Sequence, residues 1–453
     1  MYIIDHPKIC SKLAALTVRS TTKCSMPQSQ KSDDQTYEVH PEDAWQWITN
    51  HKGELPTPLY LYSEPALDKA VTSYQSLFPE NARGFYSLKA NPQLELVRHF
   101  ASLGIGAEIA GEGEWRLCMG ADVPSASILT GGVSKSEPFL ETVWRQGAAA
   151  IVIESETEWQ RLNRVAGDLP PMSILLRINP GVSFGGLNMA GGSQFGLSIE
   201  QAIPMARQCL AHAQLQFQGL HFYFGSQRLE VTPIVEAVGV VEEAIHAFRQ
   251  AGVGINVVDL GLGCGVPYLA KDSELDAAAL REQLHNRWST PPWSDITLWF
   301  EAGRALAARA GYFVARVIER KRLHGATYIF LDGGLNTHNP GVGLGRFFRR
   351  NPQFHFITEG PADEVETVNI VGNLCTTADT LGTDVAAPHL EEGDLVIIPN
   401  AGAYCQTTAL WGFNSQPLFF EGMLSQDGTL RLFRPQYEFL TNEKIVSAPK
   451  PGV

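Results

Sequence analysis

Between residues 57 and 303, short apolar runs alternate with helical stretches, and this alternation restricts the fold more than any other feature. The runs are LYLY at 59–62, GFYSL at 84–88, AAIVIE at 149–154, SILLRIN at 173–179, LQFQGLHFYFG at 215–225, VVDLGLG at 257–263 and LWFEAG at 298–303. Between them lie stretches such as 64–78 and 232–252; in the second, apolar residues recur at helical spacing while Glu242, Glu243 and Arg249 interrupt them. Repeated strand–helix units imply a parallel sheet covered by helices. About eight such units over roughly 250 residues fit a closed (β/α)8 barrel. An open doubly wound sheet is the alternative. The chemically active residues fall at the ends of many different strands, and a barrel gathers those ends around one mouth.

After Gly311 the texture changes. YFVARVIERK, TYIFLDGG, ETVNIVGN and DLVIIPNAG read as strands with no regular helices between them, and Gln426-Asp427-Gly428 between EGML and TLRLF is a hairpin signal. The expected organisation is a barrel over 57–310 and a mainly antiparallel β domain over 311–453, joined by part of 36–56. Residues 1–35 carry Lys8, Lys12, Arg19, Lys23 and Lys31 and end in a polar stretch. They lack the apolar core and cleavage site of a signal peptide and read as a disordered extension. Either Met1 or Met26 serves as the start.

Composition limits the partners. Hydrophobic residues make up 44% and charged residues 18%, a balance that fills a core. The net charge of −13 opposes a nucleic-acid surface. No apolar run approaches the roughly 20 residues of a membrane span. The seven cysteines are scattered and form no CxxC pair, which points to reduced thiols in the cytoplasm.

Three motifs carry chemistry. Lys89, in GFYSLKANP, follows an apolar strand. There an amine either snorkels to water or forms a covalent link with a carbonyl cofactor. Gly261-Leu262-Gly263-Cys264-Gly265 follows the strand VVDL. Its glycines permit either a tight turn or a close approach of N–H groups to phosphate. Glu301-Ala302-Gly303-Arg304 follows LWF. It is either a structural ion pair or a carboxylate for a protonated pyridine nitrogen beside a guanidinium for an anion.

With Gly372-Asn373-Leu374-Cys375, Asp379 and Ala401-Gly402-Ala403-Tyr404, these motifs form one constellation in order along the chain. The chain resembles the fold-type III pyridoxal-phosphate decarboxylases, the ornithine and diaminopimelate decarboxylase group, over about residues 55 to 435. The resemblance implies pyridoxal 5'-phosphate bound covalently at Lys89, with Glu301 on the pyridine nitrogen. It implies that Ser226, Gly263, Gly265, Gly303, Arg304 and Tyr404 surround the phosphate. It also implies a homodimer with shared active sites. Cys375 and Asp379 would enter the partner's site, Cys375 to reprotonate the substrate carbon and Asp379 to read the substrate's far end, with Arg304 available to a substrate carboxylate.

Departures from the family pattern point to a branch. HFYFGSQ puts Tyr223 where the family has a stacking His, and Glu108 stands where an Asp is usual. These changes, with NMAGGSQFG at 188–196, resemble the branch acting in siderophore, antibiotic and exopolysaccharide pathways. Phe413 and Gln416, in FNSQP, replace the Tyr and Arg that grip a second carboxylate in diaminopimelate decarboxylases. The expected activity is decarboxylation of an amino acid or an amino-acid conjugate. An amino-acid racemase on the same fold and a non-catalytic cofactor-binding protein are the rivals. His221 shows no third ligand in the sequence, so no metal site is expected. His338, in LNTHNP, reads as a loop residue.

Overall fold

The computed structural model describes residues 42–184, 187–188, 192–269, 271–341, 350–360 and 364–435. The N-terminal extension, both candidate start methionines, residues 189–191 of the NMAGGSQFG stretch and the C-terminal residues 436–453 lie outside the described residues.

Eight parallel strands close into a barrel: Arg83–Ser87, Gly106–Ile109, Ile128–Thr130, Ala150–Ile153, Met172–Arg177, Leu215–Tyr223, Val257–Gly261 and Thr297–Ala302, the last pairing with the first. Three of the intervening helices start where serines supply caps. Ser136 and Ser155 accept from backbone N–H groups of the helices that follow them, and Ser198 with Gln201 forms a reciprocal capping box. Each helix buries one face; Glu137–Arg145 turns Phe139, Leu140, Val143 and Trp144 inward.

The period-two alternation of the strands sorts the barrel interior into two tiers. The lower is apolar, formed by Phe85, Leu129, Val152, Leu175, Val257 and Trp299. The Arg83 guanidinium lies 5.0 Å from the Phe85 ring and 5.3 Å from that of Trp299. Towards the carboxyl ends of the strands, the buried positions become Ser87, Glu108, Glu154, Arg177, His221, Asp259 and Glu301. This upper tier is where a barrel carries its chemistry.

The second sheet runs in the order Thr380–Pro388, Val365–Val371, Ala326–Leu331, Gly311–Leu323, Leu59–Ser63, Phe420–Leu424, Leu430–Phe433. Leu395–Ile398 also pairs with Gly311–Leu323, and His355–Ile357 with Leu395–Ile398. Two of its pairings, Leu59–Ser63 with Phe420–Leu424 and Ala326–Leu331 with Val365–Val371, are parallel, and the other pairings are antiparallel. The hairpin signal at 426–428 holds: the Gly428 N–H donates to Ser425 O at 3.0 Å, with Gly428 at a φ of 82°.

One sequence expectation is corrected. LYLY at 59–62 reads as the first of the alternating barrel strands, yet Leu59–Ser63 lies within the second sheet, against Gly311–Leu323. All five of its residues are buried. An apolar run of that length looks the same in either sheet, because burial on both faces erases the alternation. The helix Glu42–His51 belongs with the β sheet as well, packing Ala44 and Ile48 onto Leu59, Leu61, Val314 and Leu395.

A buried polar network ties this sheet to the barrel. Glu421 accepts from the Tyr62 hydroxyl at 3.1 Å, and Asn91 Nδ2 donates to the same hydroxyl at 2.9 Å and to Gly402 O at 3.0 Å. Gln406 donates to Tyr62 at 3.3 Å and also to Asn91 Oδ1. Burial pushes the Glu421 carboxyl up to about 7, against hydrogen bonds from Tyr62 and Gln406 that favour its charge. The folded chain therefore holds a proton that the unfolded chain releases near its ordinary value of 4.5. Stability contributed at this position falls as pH rises from about 4.5 to about 7, by up to a few kcal/mol. Glu421→Gln should raise Tm at alkaline pH and change it little at pH 5, as read by thermal unfolding across pH. Equal shifts at both ends would show that the carboxyl does not titrate there.

Candidate active site

Lys89 sits in the short turn Leu88–Ala90 that ends the first barrel strand. Its ammonium lies 3.1 Å from Glu108 Oε2 on the neighbouring strand and 5.4 Å from the centre of the Tyr223 ring. The side chain is 40% accessible because it rises into the open mouth, whereas Glu108 is 4% accessible. Burial of the surrounding residues works against the Lys89 charge, but Glu108 and then Glu301 outweigh it and hold the ammonium above its ordinary value. The turn is anchored on the far side, where the Tyr404 N–H donates to Ala90 O at 2.7 Å. Tyr404 adopts a φ of 66°, an uncommon conformation for a bulky residue and a mark of local strain.

An anion cradle lies beside this turn. Arg304, 2% exposed, donates from Nε to Ser226 Oγ at 3.0 Å and from Nη1 to the Tyr268 hydroxyl at 2.6 Å and Gly341 O at 2.9 Å. Its guanidinium also lies 4.7 Å from the Tyr404 ring centre. Its Nη2 has no partner, leaving a buried donor for an incoming anion. Gly263, at a φ of 70°, comes so close to Gly225 O that a Cβ there would collide with it. Lys89, Tyr223, Ser226, Gly263, Glu301, Gly303, Arg304 and Tyr404 line one cavity, together with Tyr74, Ser87 and Cys264. Gly265 packs behind it, against the backbone of Gln227.

The sequence reading missed several of these neighbours. Tyr268 holds Arg304 in place but lies downstream of the glycine turn with no motif to mark it. His221 does have acidic neighbours: its Nε2 is 3.2 Å from Glu301 Oε1, and Asp259 completes a buried cluster whose nearest ligand atoms lie within 4.8 Å of one another. The period-two spacing of His221 and Tyr223, and the Asp within VVDL, were the available signals. His338 is buried in the β domain, 3.0 Å from the Tyr60 hydroxyl and stacked on Phe313, and burial pushes its imidazole down to about 3.

Cys375, Asp379 and Gln416 do not line the cavity of their own chain. Cys375 is exposed, and its N–H donates to Asn414 Oδ1 at 3.1 Å, so its loop meets the segment containing Phe413 and Gln416. Asp379, which the family resemblance offers to the far end of a substrate in the partner's site, is 3% exposed on its own chain and turned into its own loop. Its two oxygens accept the N–H groups of Leu335 at 2.7 Å and Leu374 at 2.8 Å. Gly334 and Gly372 pack so closely that a Cβ on either would strike its carboxylate. Its physical work here is to satisfy two buried backbone donors.

Similarity to known proteins agrees with this geometry. Residues 65–308 match the model of the pyridoxal-dependent decarboxylases, pyridoxal binding domain. The chain is 30% identical over 406 residues to an L-glutamyl-[BtrI acyl-carrier protein] decarboxylase from Niallia circulans, covering 85% of this chain and 93% of that protein. It is 28% identical over 375 residues to a 2-[(L-alanin-3-ylcarbamoyl)methyl]-2-hydroxybutanedioate decarboxylase from Staphylococcus aureus, covering 80% and 92%. Diaminopimelate decarboxylase from Helicobacter pylori, solved with L-lysine, superposes with a TM-score of 0.76 at 26% identity, covering 84% of this chain and 94% of that one.

Removing one acceptor tests the reading of Asp379. Asp379→Asn leaves an amide N–H facing a backbone N–H, a loss of about 1–3 kcal/mol. The amides of Leu335 and Leu374 should exchange faster in hydrogen-exchange mass spectrometry and Tm should fall. Unchanged exchange at both amides would show that the carboxylate does not hold the loop.

Proposed function

Because the chain belongs to the pyridoxal-dependent decarboxylases, it is a pyridoxal-phosphate-dependent carboxy-lyase, and we propose that it acts on an amino acid carried on a larger conjugate. The observation that supports a cofactor site at this mouth is the single cavity that Lys89, Glu301 and Arg304 share. The residues present fit the cofactor. The amine is Lys89, Arg304 offers an unpartnered buried donor to the phosphate, and the glycine turn at Gly263, at a φ of 70°, lines the same cavity. In this reading Lys89 would hold the cofactor through its amine, and Glu108 would balance the charge there. Glu301 keeps a proton on the pyridine nitrogen, and Tyr223 covers the ring. Ser226, Gly263, Gly265, Gly303, Arg304 and Tyr404 receive the phosphate.

When bound, the cofactor supplies the sink for the electron pair left as carbon dioxide departs. The chain's own task would be orientation, holding the substrate's scissile bond in the mouth where the cofactor can take up its electron pair. Cys375 of the partner subunit returns the proton to the substrate carbon in a two-fold dimer; its exposure on its own subunit supports that reading. The five described free cysteines support residence in the cytoplasm. No described helix is long and apolar enough to cross a membrane.

Two features support a conjugate. Gln416 offers no charge to a distal carboxylate, and Asp379 is already engaged by backbone donors and offers none to a distal amine. A site without those partners does not select a free diamino acid by its second charged end. The relatives from Niallia circulans and Staphylococcus aureus carry names of decarboxylases acting on carrier-linked or citrate-like conjugates. A place in siderophore or other specialised biosynthesis follows from that reading.

Two measurements test it. Borohydride reduction of the purified protein, followed by peptide mass spectrometry, should fix the cofactor mass on Lys89; the label on another lysine would refute the assignment. The kcat/KM for carbon dioxide release should be at least about tenfold higher for citrate- or carrier-linked amino acids than for free ornithine, lysine or meso-diaminopimelate, the scale of one recognition contact. A free amino acid turned over equally fast would end the conjugate reading. Loss of optical rotation without carbon dioxide would favour the racemase.

A further inference from the structure

Beneath the cavity, two acids are buried together beside one histidine. His221, Asp259 and Glu301 lie on the three consecutive barrel strands Leu215–Tyr223, Val257–Gly261 and Thr297–Ala302, which pair in that order. They are 4%, 0% and 5% exposed, and one nitrogen or oxygen of each lies within 4.8 Å of the others. Among the described residues, neither Asp259 oxygen receives an N–H or O–H, and Glu301 Oε1 also lacks a hydrogen bond of good geometry. The other charged groups facing the cluster are Glu108 and Lys89 at the mouth, and Lys89 is paired with Glu108 at 3.1 Å.

An ionised carboxylate with no donor is costly inside a barrel, and a second ionised carboxylate beside it adds repulsion. Counting both acids as acceptors leaves three oxygens orphaned. One proton shared between them removes the conflict. We infer that Asp259 is held as the neutral acid and donates its proton to Glu301, as a positioning residue that fixes how Glu301 meets the cofactor's pyridine nitrogen. The second half of this inference rests on the cofactor site proposed above; the first half does not.

The electrostatics point the same way. Burial, followed by the charge of Glu301, pushes the Asp259 carboxyl well above its ordinary value. Burial also works against the Glu301 charge, but His221 and then Lys89 and Asp259 outweigh it and hold Glu301 at about 2. His221 Nε2 stands 3.2 Å from Glu301 Oε1 and its Nδ1 has no partner, an arrangement in which the ring presents Nε2–H to Glu301. Glu301 itself lines the cavity, so a proton from Asp259 below would fix its carboxylate against the space above.

Infrared spectroscopy of the cofactor-free protein tests the protonation by itself. With Glu421 replaced by Gln to remove its own buried proton, the carbonyl stretch of a protonated carboxyl should persist through the neutral pH range and vanish in Asp259→Asn. Absence of that band, or its survival in Asp259→Asn, would overturn the inference, as would a stoichiometric metal ion retained at the cluster. For the positioning role, the readouts are cofactor affinity and the 15N shift of the pyridine nitrogen in cofactor bound to the protein. Asp259→Asn keeps a donor to Glu301, so both should stay near wild type. Asp259→Leu removes it and should weaken binding about tenfold or more, the scale of a hydrogen bond to a charged group, with a shifted 15N signal. Equal behaviour of the two variants would refute positioning. Should Asp259→Leu fail to fold, the band and the 15N shift in Asp259→Asn still decide. A protein that binds no cofactor but shows the band would refute the cofactor site and leave the Asp259–Glu301 proton standing.

Discussion

Charge inside a closed barrel is tolerable only where it is paired, and the pairing of Lys89 with Glu108, under the wider field of Glu301, sets the terms for everything around it. The lower tier of Phe85, Val152, Leu175 and Trp299 gives the barrel its apolar body, and its interior becomes polar only towards the mouth. There Arg177 pairs with Glu154 at 2.7 Å and Lys89 with Glu108, and His221 stands beside Glu301. Arg304 is the informative exception. It has phenol, hydroxyl and carbonyl partners and an open donor, which suits a guanidinium that waits for an anion.

The second sheet is part of this arrangement and not an appendage. The Tyr404 N–H grips Ala90 O, and Asn91 donates to Gly402 O, so the turn that carries Lys89 is held between the barrel strand below it and a loop of the β domain above it. The same residues join the buried network of Tyr62, Gln406 and Glu421. Order at the reactive amine therefore depends on packing in the β domain, through Leu59–Ser63, which reaches that sheet from the N-terminal side of the barrel in sequence. Chains in which Leu59–Ser63 or Phe420–Leu424 is loosened should lose the lysine turn before they lose the barrel.

Much of the site was legible along the chain. Lys89, Glu301, Arg304 and the glycine turn follow apolar runs, and in a parallel barrel the residues that follow a strand lie at the mouth. What escaped was pairing across the interior. The Asp of VVDL reads as one polar residue in a strand, and only closure of the barrel sets Asp259 beside Glu301 and His221. Asp379 was a substrate candidate through the family resemblance; on its own chain its carboxylate packs against Gly334 and Gly372 and accepts the N–H groups of Leu335 and Leu374, a pairing that no linear motif marks.

Sequence alone determined the repeated strand–helix units, the loss of regular helices after Gly311 and the glycine turn at 261–265. These are local patterns, written in period-two and period-3.6 spacing and in glycines that admit positive φ. Tertiary structure decided the rest. It assigned the run at 59–62 to the second sheet, clipped Tyr404 onto the lysine turn, and left Asp379 spent on its own loop and Asp259 buried without a donor. Each of these depends on which groups meet after tens to hundreds of intervening residues, and on whether water remains between them. Linear spacing carries neither fact.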